Sequence, residues 1–269
     1  MLDVMNTYYE AATAILATGP HTRDFMRNTS ECLGKTYIMM HSALGTDASL
    51  EIGAHNAEYS LEMANIYGGE ISLCAIEASP RTHAYFSKKI NYKDLGISYI
   101  NALISDKEGA TVFYEYLREG RDAGDWVSSL LIRDVRLNGQ LKRTRTSVKS
   151  IRGDTLIESK FKNKNKIALW IDVEGAQYEV LNSLSKSFNK GIINSVYIEV
   201  ERKKFWPRQK MLVNDVIEFM NKYNFSHFLR DNQSVDQYNI IFINNNIIDC
   251  NFSFFFNYYR KSLLKKLVQ

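Results

Sequence analysis

Apolar positions change rhythm near residue 46. Before it, Tyr8, Ala11, Ala12 and Ile15 fall at helical three- and four-residue steps and Gly19-Pro20 breaks the run, so residues 1–45 read as an N-terminal helical cap. From Ser49 short apolar runs alternate with amphipathic stretches, the pattern of strands joined by crossover helices, and this continues to about residue 246. Predicted strands are Ser49–Ile52, Ile71–Ile76, Ile97–Ile104, Ile167–Ile171, Ser195–Val200, Ser226–Leu229 and Asn239–Ile243, with Thr111–Tyr116 as an added strand. Predicted helices cover about Ala57–Ile66, stopped by Gly68-Gly69, and about Arg81–Ile90; another follows Ala176, and Val213, Val216, Ile217 and Met220 mark a fourth. Ile167–Ile171 is apolar almost throughout, as suits a central parallel strand covered on both faces. The stretch 118–150 is polar, basic and poorly periodic, an inserted loop or hairpin able to act as a lid. The expected organisation is a cap over 1–45, an α/β domain over 46–250 and an aromatic then basic tail over 251–269.

Composition narrows the class. With 45% hydrophobic and 24% charged residues and three prolines, the chain is a folded globular protein. The net charge of +4 is spread over clumps such as Lys142, Arg143 and Arg145, which read as solvated loops. Neither a zinc finger nor the aromatic RNA-binding signature is present, so nucleic acid is not an expected partner. Cys32, Cys74 and Cys250 are odd in number and far apart, which excludes a disulfide framework and favours a reducing, cytoplasmic setting. No stretch reaches the roughly 18 apolar residues of a membrane span. In the tail Phe254, Phe255, Phe256, Tyr258 and Tyr259 precede Lys261, Lys265 and Lys266, which fits a packed helix or, more sharply, a peripheral membrane or dimer contact through 252–269.

Two motifs carry chemistry. The first, Ser49-Leu50-Glu51-Ile52-Gly53-Ala54-His55-Asn56-Ala57-Glu58-Tyr59-Ser60, lies where a buried strand hands over to a helix, the place where doubly wound sheets bind ligands. Gly53 lets the backbone pass close to a ligand, and Glu51 can hold the cationic amino group of a methionine moiety. A nicotinamide oxidoreductase is the competing reading, but it needs three glycines in G-x-G-x-x-G and an anion-friendly turn, whereas here Gly53 stands beside an acid. Glu77 ends the second strand, where a carboxylate can accept both hydrogen bonds of a ribose diol. The second motif, Trp170-Ile171-Asp172-Val173-Glu174-Gly175-Ala176-Gln177-Tyr178-Glu179-Val180-Leu181, puts Asp172 and Glu174 at the end of the central strand, facing a cleft, a ligand or a cation. Glu199 and Glu201 share a strand face and can contact an acceptor, and Trp206, beside Arg202, Lys203 and Lys204, is a candidate sugar platform.

Together these motifs resemble the FkbM-type methyltransferases. The similarity takes in Ala75–Pro80, Asn101-Ala102-Leu103, Ser128-Ser129-Leu130 and Asp154-Thr155-Leu156, and so covers about 45–205. The resemblance implies a class I methyltransferase fold, an α/β doubly wound, mostly parallel seven-stranded sheet whose last strand is antiparallel, and S-adenosylmethionine-dependent methyl transfer to a hydroxyl of a sugar, glycan or similar metabolite. Carried over by position, Glu51, Gly53, Ala54, His55 and Asn56 line the methionine end, Glu77 and Ala78 the ribose, Asn101-Ala102 the adenine side, and Asp172 the sulfonium and the acceptor; Ser128 and Ser129 join the substrate side. Ala57 departs from the family, which often has glycine there. Asp172, Glu174 or His55 can serve as general base, with Asp172 and Glu174 favoured. The same two acids can hold Mg²⁺, although no complete metal-ligand set is legible. A non-catalytic interaction module with this fold is the remaining alternative, and oligomerisation stays open.

Overall fold

The computed structural model describes residues 2–20, 22–117, 128–133, 142–232, 234–247 and 250–267. Two helices open the chain, α1 (Leu2–Ala17) and α2 (Arg23–Ala43), separated at Gly19-Pro20; the Thr22 hydroxyl caps α2 by accepting from the Phe25 N–H at 3.2 Å. There follow β1 (Ala48–Ile52), α3 (Glu58–Tyr67), β2 (Ser72–Glu77), α4 (Pro80–Lys89) and β3 (Ile97–Asn101). Three strands then leave the main sheet: β4 (Leu103–Ile104), β5 (Gly109–Leu117) and β6 (Lys142–Ile151). After α5 (Gly153–Lys160) the chain returns to the sheet with β7 (Ile167–Ile171), and continues through α6 (Gln177–Ser183), α7 (Ser185–Asn189), β8 (Ile193–Glu201) and α8 (Val213–Lys222). It ends with β9 (Phe225–Arg230), β10 (Gln237–Asn244) and α9 (Phe252–Leu267).

The main sheet has seven strands in the order β3-β2-β1-β7-β8-β10-β9. Neighbours from β3 through β8 pair in parallel, and β10 runs antiparallel to both β8 and β9. From β1 the chain builds outward through β2 and β3, then crosses to the other side of β1 with β7. The order therefore reverses between β1 and β7, and the crevice at their carboxyl ends is where such sheets bind ligands. Every residue of β1 and β8 is buried, as both faces are covered. One face carries Leu33, Tyr37, Tyr59, Tyr197 and Tyr259, the other Leu50, Leu169, Leu181, Val196 and Phe242.

One expectation is revised and another is made specific. Ile97–Ile104 is not one strand: Ala102 separates β3 from β4, and β4 joins a second, three-stranded sheet of order β4-β6-β5. Part of the predicted insertion is strand β6, paired antiparallel with β5 along its length. Both faces of β6 carry Lys, Arg, Thr or Ser and half of its residues are exposed, so no apolar alternation announces it. The rest of the predicted lid, 118–127 and 134–141, lies outside the described residues. In the tail, Phe252, Phe255, Tyr259 and Leu263 of α9 are buried, and the Tyr259 hydroxyl donates to the Arg230 carbonyl at 2.5 Å. Among the described residues no helix is long and apolar enough to cross a membrane.

Candidate active site

A cavity of about 720 Å³ opens at the reversal point, within the usual range for small-molecule sites. Its architecture starts with Gly53. That residue has φ of +82°, and a Cβ there would lie 1.6 Å from the Asp172 backbone oxygen. The missing side chain thus makes room for the protein itself, where β1 and β7 converge and the Asp172 N–H donates to the Ile52 carbonyl at 2.9 Å. Close approach to a ligand was the expected reason for this glycine; close approach of a neighbouring strand is the structural one, although Gly53 also lines the cavity.

The turn that follows is held in an uncommon shape. His55 and Ala57 have φ of +47° and +58°, a left-handed conformation that costs an L-residue roughly 1–2 kcal/mol each. Hydrogen bonds offset this. The His55 N–H donates to Glu77 at 2.7 Å, the His55 carbonyl accepts from the Tyr99 hydroxyl, and the Asn56 carbonyl accepts from the Tyr92 hydroxyl at 2.8 Å. Glu77 takes a second backbone donor, the Ser79 N–H, at 2.7 Å. Glu51 accepts from both the N–H and the hydroxyl of Ser60, at 2.9 and 2.5 Å, and so caps the first turn of α3, which Ala57 leaves without a side-chain cap. Burial pushes the carboxyls of Glu51 and Glu77 up to about 7; nearby Glu115 and Asp172 add to the effect at Glu77.

At the end of β7 the acids face one another. Carboxylate oxygens of Asp172, Glu174 and Glu199 lie within 4.8 Å of each other. Burial raises the Asp172 carboxyl to about 6, with the neighbouring Glu199 side chain opposing the rise. Gln237 donates to Glu199 at 2.7 Å. Glu174 adopts φ of +50°, and the Ser129 hydroxyl secures its carbonyl at 2.7 Å. Non-glycine residues in this strained region cluster here: three of the four described, His55, Ala57 and Glu174, border the cavity turns.

The structure gathers Glu51, Gly53, Ala54, His55, Asn56, Glu77, Ala78, Ala102, Ser128, Asp172 and Glu174 on one cavity wall. Other predicted residues stand behind that wall. Asn101 donates to the carbonyls of Glu77 and Ala78, at 2.8 and 3.2 Å, and so fixes the end of β2 instead of lining the cavity. Ser129 supports Glu174 in the same indirect way. Glu199 is buried, with its carboxylate within 4.8 Å of those of Asp172 and Glu174. Two substrate-contact expectations are corrected. Glu201 is buried and receives Gln177 at 3.0 Å and Gln209 at 2.8 Å, a clamp between the β8 end and the loops around it. Trp206 is 1% exposed, and its indole occupies the space a Gly175 side chain would take, 2.4 Å from a Cβ placed there. Its large apolar surface is worth more covering that bend than exposed on a loop.

Sequence reasoning missed the face opposite the turn. Arg27, Ser30, Glu31, Gly34, Lys35 and Ile38 of α2 all line the cavity, although this segment reads as a cap. Their signal is a helical stripe of polar and small residues, at steps of three and four, on a helix whose remaining faces pack into the core. The lining also includes an aromatic stack: Trp170 lies 3.7 Å from Tyr197 and 4.5 Å from Tyr59 between ring centroids.

A seven-stranded doubly wound sheet with its late strand reversed, holding acids at the ends of β1, β2 and β7, defines a class I methyltransferase fold. The chain belongs to the family of the methyltransferase FkbM domain, whose model matches residues 51–226. It is therefore a methyltransferase. No curated protein matches it. Among solved structures it is similar to a SAM-dependent methyltransferase from Aquifex aeolicus, at 10% identity and a TM-score of 0.42, covering 87% of this chain and 98% of that one. It is also similar to M. capricolum TrmK in complex with S-adenosyl-homocysteine, at 11% identity and a TM-score of 0.39, covering 77% and 68%.

Proposed function

We propose that the protein transfers a methyl group from S-adenosylmethionine to a hydroxyl oxygen of a sugar, glycan or similar metabolite. The observation that carries this reading is the convergence of three acids from three strand ends, the buried Glu51 and Glu77 and the half-buried Asp172, on one cavity. Such a donor set suits a ligand with positive charge and a ribose diol, and it opposes the pyrophosphate of a nicotinamide dinucleotide. The cofactor, when bound, supplies an activated methyl group.

The chain's own residues then have three tasks. The preformed β1–α3 turn and Glu77 position the ligand without reorganising. The aromatic stack and the α2 face exclude water from the sheet side of the cavity. Asp172, with its proton affinity raised toward neutrality by burial, takes the proton from the acceptor hydroxyl. Three free cysteines, two of them buried, are consistent with a cytoplasmic setting.

Calorimetric titration with S-adenosylhomocysteine tests the reading. Wild-type protein is expected to bind, and Glu77→Ala to weaken binding about tenfold or more, as it removes a charged acceptor and releases the His55 and Ser79 N–H groups. Folded wild-type protein that does not bind would leave the fold serving as an interaction module.

A further inference from the structure

Seven carboxylate side chains line the described cavity, against two Lys or Arg side chains, Arg27 and Lys35. This imbalance suits the sulfonium and ammonium groups of the cofactor proposed above. It does not suit the carboxylate at the same end of that molecule. An anion placed among acids in a partly dehydrated cleft is costly unless a cation meets it.

The two cations are not equivalent. Lys35 Nζ lies 2.5 Å from Glu31, and Glu31 followed by Glu62 holds its ammonium above the ordinary lysine range, so its charge is already answered within the protein. Arg27 makes no ion pair among the described residues. It stands one turn before Glu31 and two before Lys35, on the α2 stripe that borders the cavity. Its guanidinium offers a planar fork that matches a carboxylate with two parallel hydrogen bonds.

Resting on the cofactor reading, we infer that Arg27 anchors the carboxylate at the methionine end of the cofactor. The role falls to a helix outside residues 51–226, so the binding site is completed by the N-terminal segment. In the bound state Arg27 neutralises the one negative group, while the acids at the ends of β1, β2 and β7 remain for the positive groups and the ribose.

The test compares two ligands on wild-type protein, Arg27→Ala, Arg27→Gln and Lys35→Ala. S-adenosylhomocysteine carries the carboxylate; 5′-methylthioadenosine keeps the thioether and adenosine but lacks the whole amino-acid group. Loss of Arg27 is expected to weaken S-adenosylhomocysteine about tenfold or more and to leave methylthioadenosine within about twofold, with a smaller effect from Lys35→Ala. Equal weakening of both ligands overturns the assignment, as does unchanged S-adenosylhomocysteine affinity. Wild-type protein that binds neither ligand would defeat the cofactor reading itself, an outcome separate from the other two. Arg27 is exposed on its helix, and melting curves of the two Arg27 variants check that a lost contact is not a lost fold.

Discussion

Two groups of acids stand at the same cavity, all but Glu199 lining it, and they are held differently. On the β1–β2 side, Glu51 and Glu77 each spend hydrogen-bonding capacity on the chain: Glu51 on Ser60, Glu77 on the N–H groups of His55 and Ser79. On the β7 side, Asp172, Glu174 and Glu199 crowd within 4.8 Å and turn toward one another. The first arrangement makes the acids part of the turn's architecture, so the ligand meets a preformed surface. The second stores proton affinity, because carboxylates so close cannot all ionise cheaply. Under the proposed function, binding falls to the first group and proton transfer to the second.

The comparison breaks most decisively at Asp172. Asp172→Asn is expected to reduce turnover by about 10²-fold or more, the typical share of a general base, while affinity for S-adenosylhomocysteine falls far less. The opposite split, intact turnover with lost binding, would make Asp172 a binding acid like Glu77. A steady-state assay on the acceptor, or on water as a slow surrogate, measures the first quantity and calorimetry the second.

A smaller effect sharpens the comparison through pH. Burial raises Asp172 to about 6 and Glu51, Glu77 and Glu201 to about 7, above their unfolded values, so the folded protein holds protons that the unfolded chain releases. This contribution to stability is complete below the unfolded carboxyl range and is lost as pH climbs through about 6 to 7. The melting temperature of the ligand-free protein should therefore rise as pH is lowered from about 8 to about 5.5, and Glu77→Gln should flatten that slope. A melting temperature that falls over this window would mean these acids are stabilised in their charged form.

The smallest effect concerns the turn alone. Ala57 is buried in a left-handed conformation that glycine adopts without penalty. Ala57→Gly is expected to raise stability by up to about 1 kcal/mol in denaturant melts, and to leave cofactor binding intact. Destabilisation instead would show that the Ala57 methyl packs against the core strongly enough to outweigh its backbone strain.

Much of the binding wall was legible along the chain. Strand–turn–helix punctuation at Glu51–Ser60 and Trp170–Leu181 is local, and an acid or glycine at a strand end has few places to go once the sheet is doubly wound. That is why Glu51, Gly53, Glu77 and Asp172 come together where the pattern put them. The strand β6 was not legible, because neither of its faces is apolar enough to alternate.

The sequence by itself determined the order of the seven strands of the main sheet, the positions of the two motifs and the residue types at the strand ends, since each depends on neighbours only a few positions away. Tertiary structure alone decided which surfaces those residues meet. It buried Trp206 against Gly175, turned Glu201 toward Gln177 and Gln209, filled the space beside Gly53 with the Asp172 backbone, and laid the Arg27–Lys35 face of α2 along the cavity. The physical reason is common to all four: these contacts join elements distant in the chain, and their geometry is set by how helices and strands pack, which no local periodicity encodes.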